Sequence, residues 1–500
     1  MNCLQNYPLI RIVGVLIMGV LFCREVPFYV PTWLLLVGIC VTVCTSIVCN
    51  KKPITSTISL FLSTFFLGGW LLNHCENYLR ISFPNRPVHY QGFVASQPQM
   101  YGKVFRFDLL IVSKEHPFVV KASLLNDPTS GRARSLRVGD GIEAFSLLEE
   151  PVDMDDVSSY LDLQRLHVQG LSGTTFIASH NWSSVSVPLT SVSRFERARL
   201  RLLRLREHVK EKFSEAGVTE EALPILSAMT LGDRSGLSRE TKNVFAIAGV
   251  GHLLALSGMH LGILYGLLMV CFGGRRNGIV GQSIALSAIW CYVFFVGMPF
   301  SVVRSAIMCT VYGLVSLLNR DKVSLNVLAL SAFLILITFP LCLWDVGFQL
   351  SFISVLGILL VCSLNIRFSS IGIFQYLCSA LLVSFVAQLM VMPLVMHYFG
   401  RVPVYFLLTN LFAITVSAFI IMGAIALLFL SSIGLCHTFF AEILSYVIAA
   451  FYKMLRMIAS WPYADVCCRL SPIQTLLSYI LILSSVYVVY RVWNRWRMGQ

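Results

Sequence analysis

Apolar segments long enough to cross a membrane recur along this 500-residue chain and constrain its fold more than any other feature. A membrane-spanning helix needs about 17 to 25 mostly apolar residues. Twelve candidate segments lie at about 9–23, 29–49, 54–75, 244–272, 279–298, 301–318, 323–343, 346–364, 372–396, 404–431, 438–459 and 473–490. The charged fraction of 13% is about half that of a typical soluble domain. We therefore predict a polytopic α-helical membrane protein with about 12 transmembrane or membrane-associated helices.

Short basic loops between the apolar segments indicate how the chain is oriented. They are Lys51–Lys52, Arg275–Arg276, residues 319–322 and the tail that begins at Arg491. Cytoplasmic loops of membrane proteins carry an excess of lysine and arginine. When the spans between these loops are counted, all four loops fall on the same side of the membrane. We therefore expect both termini in the cytoplasm and the long polar region, residues 76–243, on the external side.

The external region begins with sequence that alternates between apolar and polar residues, as β-strands do. Five such stretches are VHYQGFVASQP, VFRFDLLIVS, FVVKASLLND, LRVGDGIEAFSLLEEP and GLSGTTFIA. Five short strands in little more than 100 residues predict a small β-barrel, and we favour an OB-like barrel over a generic sandwich. Tyr101, Phe105, Arg106 and Phe107 could line a groove for nucleic acid, but we favour core positions for these aromatic residues.

A basic amphipathic helix is predicted between the barrel and the membrane bundle. Residues 194–212 contain eight Lys or Arg and three Glu, an excess of five positive charges, with apolar residues at helical spacing. Such a helix can lie on anionic lipid headgroups, which we favour, or bind a polyanion. The domain plan is 1–75 for N-terminal membrane helices, 76–190 for the OB-like module, 191–243 for the basic helix and connector, 244–490 for the helix bundle and 491–500 for a basic cytoplasmic tail.

Two histidines lie inside the apolar stretch GVGHLLALSGMHLGIL, residues 249–264. On one straight helix His252 and His260 would be rotated by about 80° and separated by about 12 Å, so they could not bind a single ion. A zinc protease would place two histidines four residues apart with a glutamate between them. We therefore expect neither a metal site nor another cofactor, and we assign the pair to a pore or to helix packing. We expect His252 to face the pore and His260 to be buried.

Small and polar residues beside the histidines indicate how this segment is built. Gly258, Gly262 and Gly266 recur every four residues and predict a face that packs against another helix. A break at Ser257 could instead leave unwound backbone to line a water-filled path. Upstream, Ser238 is a suitable N-cap for the helix that enters the membrane.

Further polar residues at the ends of apolar segments are candidates for lining the same path. They are Asp233, Arg234, Arg304, Asp345, Gln349, Ser351, Arg401, Lys453 and Arg456. Asp233 and Arg234 could alternatively form a simple salt bridge within their loop. Each of the others could be explained singly by helix pairing or by a side chain that reaches the membrane surface. Their number in one bundle favours an aqueous path.

Four segments together resemble the ComEC family of competence proteins, the inner-membrane DNA uptake channels of naturally transformable bacteria. They are LGDRSGLSRETKNVFAIAGVGHLLALSGMHLGIL, PFSVVRSAIM, LWDVGFQLSFISVLGI and AQLMVMPLVMHYFGRVPVYFLLTNL, in this order over about 225–415. Three membrane helices followed by a small barrel also resemble the N-terminal portion of that family. The resemblance implies that one strand of incoming DNA passes through the bundle into the cytoplasm and that region 76–243 is periplasmic.

The expected partners follow from what the sequence lacks. Many members of the family carry a C-terminal metallo-β-lactamase-like domain, which we expect this chain to lack, because it has no His-x-His-x-Asp-His pattern. It also has no GxxxxGK[ST] phosphate-binding loop. We therefore expect a non-enzymatic channel for single-stranded DNA that contacts membrane lipids and works with a DNA receptor, a cytoplasmic translocase and a separate nuclease. The alternatives are a secondary transporter of a small anionic or lipidic solute and an intramembrane hydrolase, which the histidine spacing disfavours.

Overall fold

The computed structural model describes residues 7–25, 30–49, 51–113, 116–127, 132–150, 166–188, 191–272, 278–318, 325–362, 372–434 and 436–498. The predicted basic loops at 275–276 and 319–322 lie outside the described residues. The chain is mostly helical and divides into two compact units. The first contains Met1–His208, Cys291–Met298 and Ala329–Asp345, and the second contains Val209–Trp290, Pro299–Leu328 and Val346–Gln500.

Three helices begin the first unit: α1 (Pro8–Glu25), α2 (Thr32–Val48) and α3 (Pro53–Leu79). Glycines allow α1 and α3 to pack closely. A Cβ at Gly19 would lie 2.0 Å from the carbonyl oxygen of Phe65, and a Cβ at Gly68 would lie 2.4 Å from that of Leu16. Neither position therefore has room for a side chain, and the two backbones meet directly.

A β-sheet module follows α3 in the first unit. Its strands are β1 (Val88–Val94), β2 (Gln99–Tyr101), β3 (Val104–Ile111), β4 (Phe118–Leu125), β5 (Gly141–Ser146), β6 (Leu148–Glu149), β7 (Gly173–Ile177) and β8 (Trp182–Ser184). Every one of the five predicted stretches contains a strand, and the sheet has three further short strands. The strand order is β6-β7-β4-β3-β1-β5-β8, with β2 paired to β3. Strand β7 is parallel to β4, whereas the other described pairs are antiparallel.

Alternating residues of these strands form the core of the module. Phe105 and Phe107 are buried in it, as expected for core aromatics. Tyr101 and Arg106 are exposed instead, and the guanidinium carbon of Arg106 lies 5.4 Å from the centroid of the Tyr101 ring. The four residues that could have lined one groove are therefore divided between the core and the surface.

Three hydroxyl groups meet inside the module. The Tyr90 hydroxyl lies 2.6 Å from Ser146 Oγ and 3.2 Å from Thr175 Oγ1, and the latter two oxygens are 2.7 Å apart. Thr175 also donates to the carbonyl oxygen of Leu147 at 2.9 Å. Burial raises the pKa of Tyr90. Because the three residues belong to β1, β5 and β7, their hydrogen bonds connect strands from separate parts of the sheet.

The predicted basic helix is α4 (Arg194–Glu215). Within the first unit Arg204 donates to the carbonyl oxygens of Val138 and Gly139, at 3.3 and 2.5 Å. Arg206 donates to the carbonyl oxygen of Val296 at 3.3 Å and is 9% exposed. Arg197 likewise donates to the carbonyl oxygen of Val192 at 3.3 Å, so at least three of the eight cations of this helix bind backbone groups of the protein itself.

The remaining helices are α5 (Leu223–Leu231), α6 (Arg239–Ile247), α7 (Gly258–Cys271), α8 (Gly278–Phe295), α9 (Phe300–Leu317), α10 (Leu325–Thr338), α11 (Val346–Cys362), α12 (Gly372–Phe399), α13 (Phe406–Ile433), α14 (His437–Ala459) and α15 (Pro472–Met498). Within the second unit α13 contacts α5, α7, α12 and α14. Two short strands, β9 (Arg401–Pro403) and β10 (Asp465–Cys467), pair in antiparallel fashion. They connect the chain after α12 with the chain after α14.

Six of the described helices are long and apolar enough to cross a membrane: Pro53–Leu79, Gly278–Phe295, Phe300–Leu317, Cys378–Phe399, Phe406–Ile433 and His437–Ala459. Five shorter apolar helices are Thr32–Val48, Gly258–Cys271, Leu325–Thr338, Val346–Cys362 and Pro472–Val488. The segment predicted at 244–272 is not one helix but two, α6 and α7, separated by a 3₁₀ turn at Gly251–Leu254. The helix predicted at 323–343 likewise ends early and is followed by a 3₁₀ turn at Pro340–Trp344.

Candidate functional site

The interrupted segment between α6 and α7 carries both histidines. His252 lies in the 3₁₀ turn and is exposed, whereas His260 lies in the first turn of α7 and is 2% exposed. The two residues do not share one straight helix, so the separation calculated for a straight helix does not apply. Among the described residues, no group of three or more His, Cys, Asp or Glu is placed to hold a metal ion.

Both ends of α6 are fixed by local interactions. Ser238 caps its start, because Ser238 Oγ accepts the backbone N–H of Thr241 at 2.9 Å. Gly249 follows its end with a φ of +81°, a conformation that favours glycine. A Cβ at Gly249 would also lie 3.0 Å from the Cβ of Pro403 and 3.1 Å from the Cβ of Phe406. The short helix therefore ends where the chain must turn, and it holds the His252 turn in place.

The imidazole of His260 is only half satisfied. Its Nδ1 accepts the backbone N–H of Ser257 at 3.3 Å and lies 2.9 Å from Ser257 Oγ. An Nδ1 that accepts a backbone N–H leaves the proton of a neutral ring on Nε2. This Nε2 is buried and has no hydrogen-bond partner among the described residues. The first turn of α7 therefore contains a buried donor with unused capacity.

Helix α9 lies against the start of α7. A Cβ at Gly258 would be 3.2 Å from Ser305 Oγ, so the two helices approach closely at this point. The adjacent Arg304 is 5% exposed, and its guanidinium carbon lies 5.1 Å from the centroid of the Phe300 ring. Burying an arginine inside an apolar helix costs free energy, and such residues mark candidate functional sites. The contact between α7 and α9 therefore places a cation and two hydroxyl-bearing residues near the interrupted segment.

The packing face predicted for three glycines of α7 is seen at Gly258 alone. A Cβ built at Gly262 or at Gly266 would have no atom within 4 Å, and both glycines are exposed. The predicted packing at Gly262 and Gly266 therefore has no partner in the described part of this chain and stays a prediction. Among the described residues, no neighbouring helix covers their face of α7.

The loop before α6 holds a buried ion pair. Asp233 is 5% exposed, lies 2.5 Å from Lys210 Nζ and accepts the backbone N–H of Ser235 at 2.9 Å. Burial alone would raise the pKa of Asp233, but the Lys210 charge and these hydrogen bonds lower it below the usual range. Arg234 donates instead to the carbonyl oxygen of Leu254 at 2.9 Å. The simple Asp233–Arg234 salt bridge is therefore replaced by two separate contacts, one of which holds the His252 turn.

Two more predicted residues contact α6 from other elements. Arg401 of β9 donates to the side chain of Asn243 at 3.1 Å and lies 3.8 Å from Asp465. Arg456 of α14 lies 3.3 Å from Glu240, with both side chains about two-thirds exposed at 67% and 65%. The structure therefore brings Arg401 and Arg456 to the same short helix that precedes the His252 turn.

The other predicted residues lie elsewhere. Lys453 is exposed on α14. Gln349 of α11 accepts the Tyr398 hydroxyl at 2.9 Å, and Ser351 is half-buried on the same helix. Asp345 belongs to the first unit, directly after the 3₁₀ turn at Pro340–Trp344. These four residues are not part of the group around the interrupted segment.

Three residues of the site were not found from the sequence. Lys210 could not be selected among the many cations of α4, because its role depends on a partner in a distant loop. Ser305 carried no signal beyond lying next to Arg304. Gln282 donates to the Tyr265 hydroxyl at 2.5 Å and is buried between apolar helices. A glutamine inside an apolar segment is itself a signal of a polar interior, and it could have been found in this way.

Comparison of the sequence with known proteins places this chain within a family. The family model described as Competence protein matches residues 229–492, which include the interrupted segment, α9 and the β9–β10 pair. The protein named ComE operon protein 3 from Bacillus subtilis (strain 168) is 28% identical over 310 residues, 59% of this chain and 36% of that protein. An uncharacterized protein from Aquifex aeolicus (strain VF5) is 30% identical over 232 residues, 46% of this chain and 53% of that protein. The chain thus spans about a third to a half of the length of these relatives. No solved structure matches it.

Proposed function

Because this chain belongs to the Competence protein family, we propose that it passes single-stranded DNA across the inner membrane of a bacterium during natural transformation. The observation that carries the proposal is the interrupted segment between α6 and α7. This segment carries an exposed His252 and a buried donor on His260, and the membrane-length helix α9, which contacts it, carries the buried Arg304.

The chemistry of DNA requires such a combination. A single strand carries one negative charge per nucleotide and cannot cross about 30 Å of hydrocarbon unless water and polar or cationic groups line its way. Conduction also requires binding that is weak enough to release the strand. A sparse set of groups, comprising Arg304, the two histidines, Arg234 and Arg401, suits this need better than a dense basic lining.

The open face of α7 supports a path at this position. Gly262 and Gly266 expose backbone and small surface where a packed helix would show side-chain contacts. In membrane proteins, irregular backbone at membrane depth is tolerated where it is buried in protein or lines a water-filled cavity. We propose that this face, together with the unwound residues before Ser257, borders the path, and that Asp233 and the other predicted residues of the second unit contribute at its ends.

The architecture fits the same proposal. We propose that the five shorter apolar helices and α1 also associate with the membrane, which gives about 12 helices, and that region 76–243 faces the periplasm. We further propose that the β-module is an OB-like barrel. The support is its strand order, in which β3, β1 and β5 are antiparallel neighbours and β7 joins β4 in parallel. A DNA receptor, a cytoplasmic translocase and a nuclease would be separate proteins.

Deletion of the gene in a competent host tests the proposed function. We expect transformation by added DNA to be lost, while double-stranded DNA still accumulates at the cell surface, because the step removed is passage through the inner membrane. The measurements are transformant counts and the amount of labelled DNA in the cytoplasm. Unchanged delivery of DNA to the cytoplasm would refute the proposal.

Complementation of the deletion tests the path itself. Arg304→Gln removes the buried positive charge, and Arg304→Lys retains it. Loss of a hydrogen-bonded charge that assists passage would raise the barrier by roughly 1.4 kcal/mol or more, so we expect at least a tenfold lower transformation frequency for Arg304→Gln. Immunoblots of membrane fractions should show equal amounts of both variants. Equal transformation frequencies for Arg304→Gln and Arg304→Lys would show that the charge of Arg304 does not assist DNA passage.

The discontinuous α6–α7 segment also favours a second candidate, a secondary transporter of a small anionic or lipidic solute, because transporters use broken helices to bind their substrates. The deletion strain distinguishes the two functions. A transporter predicts normal transformation together with a changed solute content of the cells.

A further inference from the structure

A strained and exposed tyrosine lies in the turn between α14 and β10. Tyr463 has a φ of +56° and is 82% exposed. Among the described residues only Met298, Cys436 and Tyr463 combine a side chain with a positive φ. Glycine would adopt this conformation without strain, and a bulky residue held in it is an outlier that calls for an explanation. Packing does not explain the strain, because the Tyr463 ring is exposed.

The turn around Tyr463, residues 460–464, is held firmly on both sides. The Trp461 ring meets the Tyr405 ring edge-on, with centroids 5.1 Å apart, and the Tyr405 hydroxyl donates to the carbonyl oxygen of Pro462 at 3.0 Å. On the other side, Val404 donates its N–H to the carbonyl oxygen of Ala464 at 3.0 Å. The scaffold thus imposes the conformation on Tyr463 and presents its ring to the surroundings.

Four cations lie on the elements that the turn connects or that pair with them. Arg401 lies on β9, whose partner strand β10 begins two residues after Tyr463, and it is half-exposed at 52%. Arg469 follows β10 and is exposed. Lys453 and Arg456 are exposed near the end of α14. Asp465 and Glu240 offset two of these four charges, so the group remains net positive.

We propose that the Tyr463 ring is a stacking platform for the bases of a single nucleic-acid strand, whose phosphates are attracted by the neighbouring arginines. This inference rests on the proposed function. Sites for single strands combine cationic grooves with aromatic rings on which bases stack, without regard to sequence. In a duplex the base faces are already covered, so the platform selects single-stranded DNA. The rigid turn keeps the ring from collapsing onto the protein when no strand is bound.

Binding of a short fluorescein-labelled oligothymidine to the full chain in phosphatidylcholine nanodiscs tests this proposal by fluorescence anisotropy. Stacking of one base corresponds to at least about a fivefold change in Kd, so we expect Tyr463→Leu and Tyr463→Gly to weaken binding by that factor or more. Tyr463→Phe keeps the ring and should bind within about twofold of the unchanged protein. Tyr446→Leu removes an exposed ring from the middle of the membrane-length helix α14; it is the control and should bind normally.

The variants separate stacking from other roles of the ring. Glycine suits the positive φ, so Tyr463→Gly should melt at the same temperature or higher while binding more weakly, which a purely structural role would not produce. Leucine keeps an apolar side chain that can contact lipid but lacks the aromatic ring. Normal oligothymidine binding by Tyr463→Leu would therefore overturn the proposal. Binding to anionic vesicles that falls in Tyr463→Gly while oligothymidine binding is unchanged would assign the ring to lipid. If the unchanged protein binds no oligothymidine although the deletion abolishes transformation, this inference fails and the proposed function stands.

Discussion

The two units solve the problem of buried polar groups in different ways. In the β-module, Tyr90, Ser146 and Thr175 satisfy one another with short hydrogen bonds. In the interrupted segment of the second unit, His260 uses one ring nitrogen on Ser257 and leaves the other buried without a partner among the described residues. The first arrangement is complete in itself, whereas the second retains capacity to bind something else.

This difference separates stability from function. A buried polar network rigidifies a fold when all its members are satisfied, and it destabilises the fold when they are not. The hydroxyl cluster therefore has a structural role, because it joins β1, β5 and β7. The unused donor of His260 and the open glycine face of α7 cost stability, and such costs persist mainly at functional sites.

The buried ion pair next to the interrupted segment should show the largest effect on stability. Lys210→Met leaves the Asp233 carboxylate buried without its cation, which typically costs about 3–5 kcal/mol. The thermal unfolding midpoint of the purified protein in detergent should fall by several degrees. The double variant with Asp233→Asn should recover part of this loss, since no uncompensated charge then remains. A midpoint unchanged in Lys210→Met would place this loop outside the folded core of the second unit.

The same ion pair predicts a pH dependence. Because the pKa of Asp233 is lowered in the folded protein, its contribution to stability is fully present above the unfolded value of about 3.9 and is lost as the pH falls through the folded pKa. Asp233→Asn should remove this component. The unfolding midpoint of the variant should therefore change less than that of the unchanged protein between neutral pH and pH values below about 4. Parallel curves for the two proteins would contradict the assignment.

The hydroxyl cluster should show an intermediate effect. Thr175→Val keeps the shape of the side chain but leaves Ser146, Tyr90 and the carbonyl oxygen of Leu147 each short of a partner, at a cost of about 1–3 kcal/mol. Thr174→Val, one residue earlier and half-buried, is the matched control and should stay within about 0.5 kcal/mol. Denaturant unfolding measures both. We expect transformation to follow protein level alone, and a specific loss of uptake in Thr175→Val would give the module a second role.

The sequence predicted the helical segments well because apolar length is a direct physical requirement of the bilayer. It also identified the five principal strands, since alternation reports which face of a strand is buried. It offered the division of residues 244–272 as an alternative, a break at Ser257, and the structure has the next helix begin at Gly258. The part played by Gly249 could not be predicted, because the turn depends on its contacts with Pro403 and Phe406, more than 150 residues away. For the same reason the sequence offered the neighbouring Arg234 as one possible partner of Asp233, whereas Lys210, 23 residues earlier, forms the ion pair.

His260 should show almost no effect on stability together with a clear effect on uptake. His260→Leu loses the acceptor for Ser257 but also removes the unsatisfied Nε2, and these opposing terms of about 1 kcal/mol each should nearly cancel. Transformation should fall if the free donor contacts the moving strand. His260→Asn retains both an acceptor for Ser257 and a donor, so it should transform better than His260→Leu. Normal transformation by His260→Leu would show that the Nε2 donor of His260 has no role in DNA uptake.

The surface pair Arg456–Glu240 should show the smallest effect on stability. Both side chains are about two-thirds exposed, and exposed ion pairs contribute about 0–1 kcal/mol because water and salt screen them. Arg456→Gln should therefore leave the unfolding midpoint unchanged. If Arg456 instead attracts DNA, the salt dependence of oligothymidine binding should become less steep, because fewer counterions are released when a phosphate contact is lost. Glu240→Gln is the matched control and should bind the strand as well or slightly better, since it frees the same arginine. An unchanged salt dependence in Arg456→Gln would show that Arg456 does not contact DNA. The remaining cations near the Tyr463 turn would then be Arg401, Arg469 and Lys453.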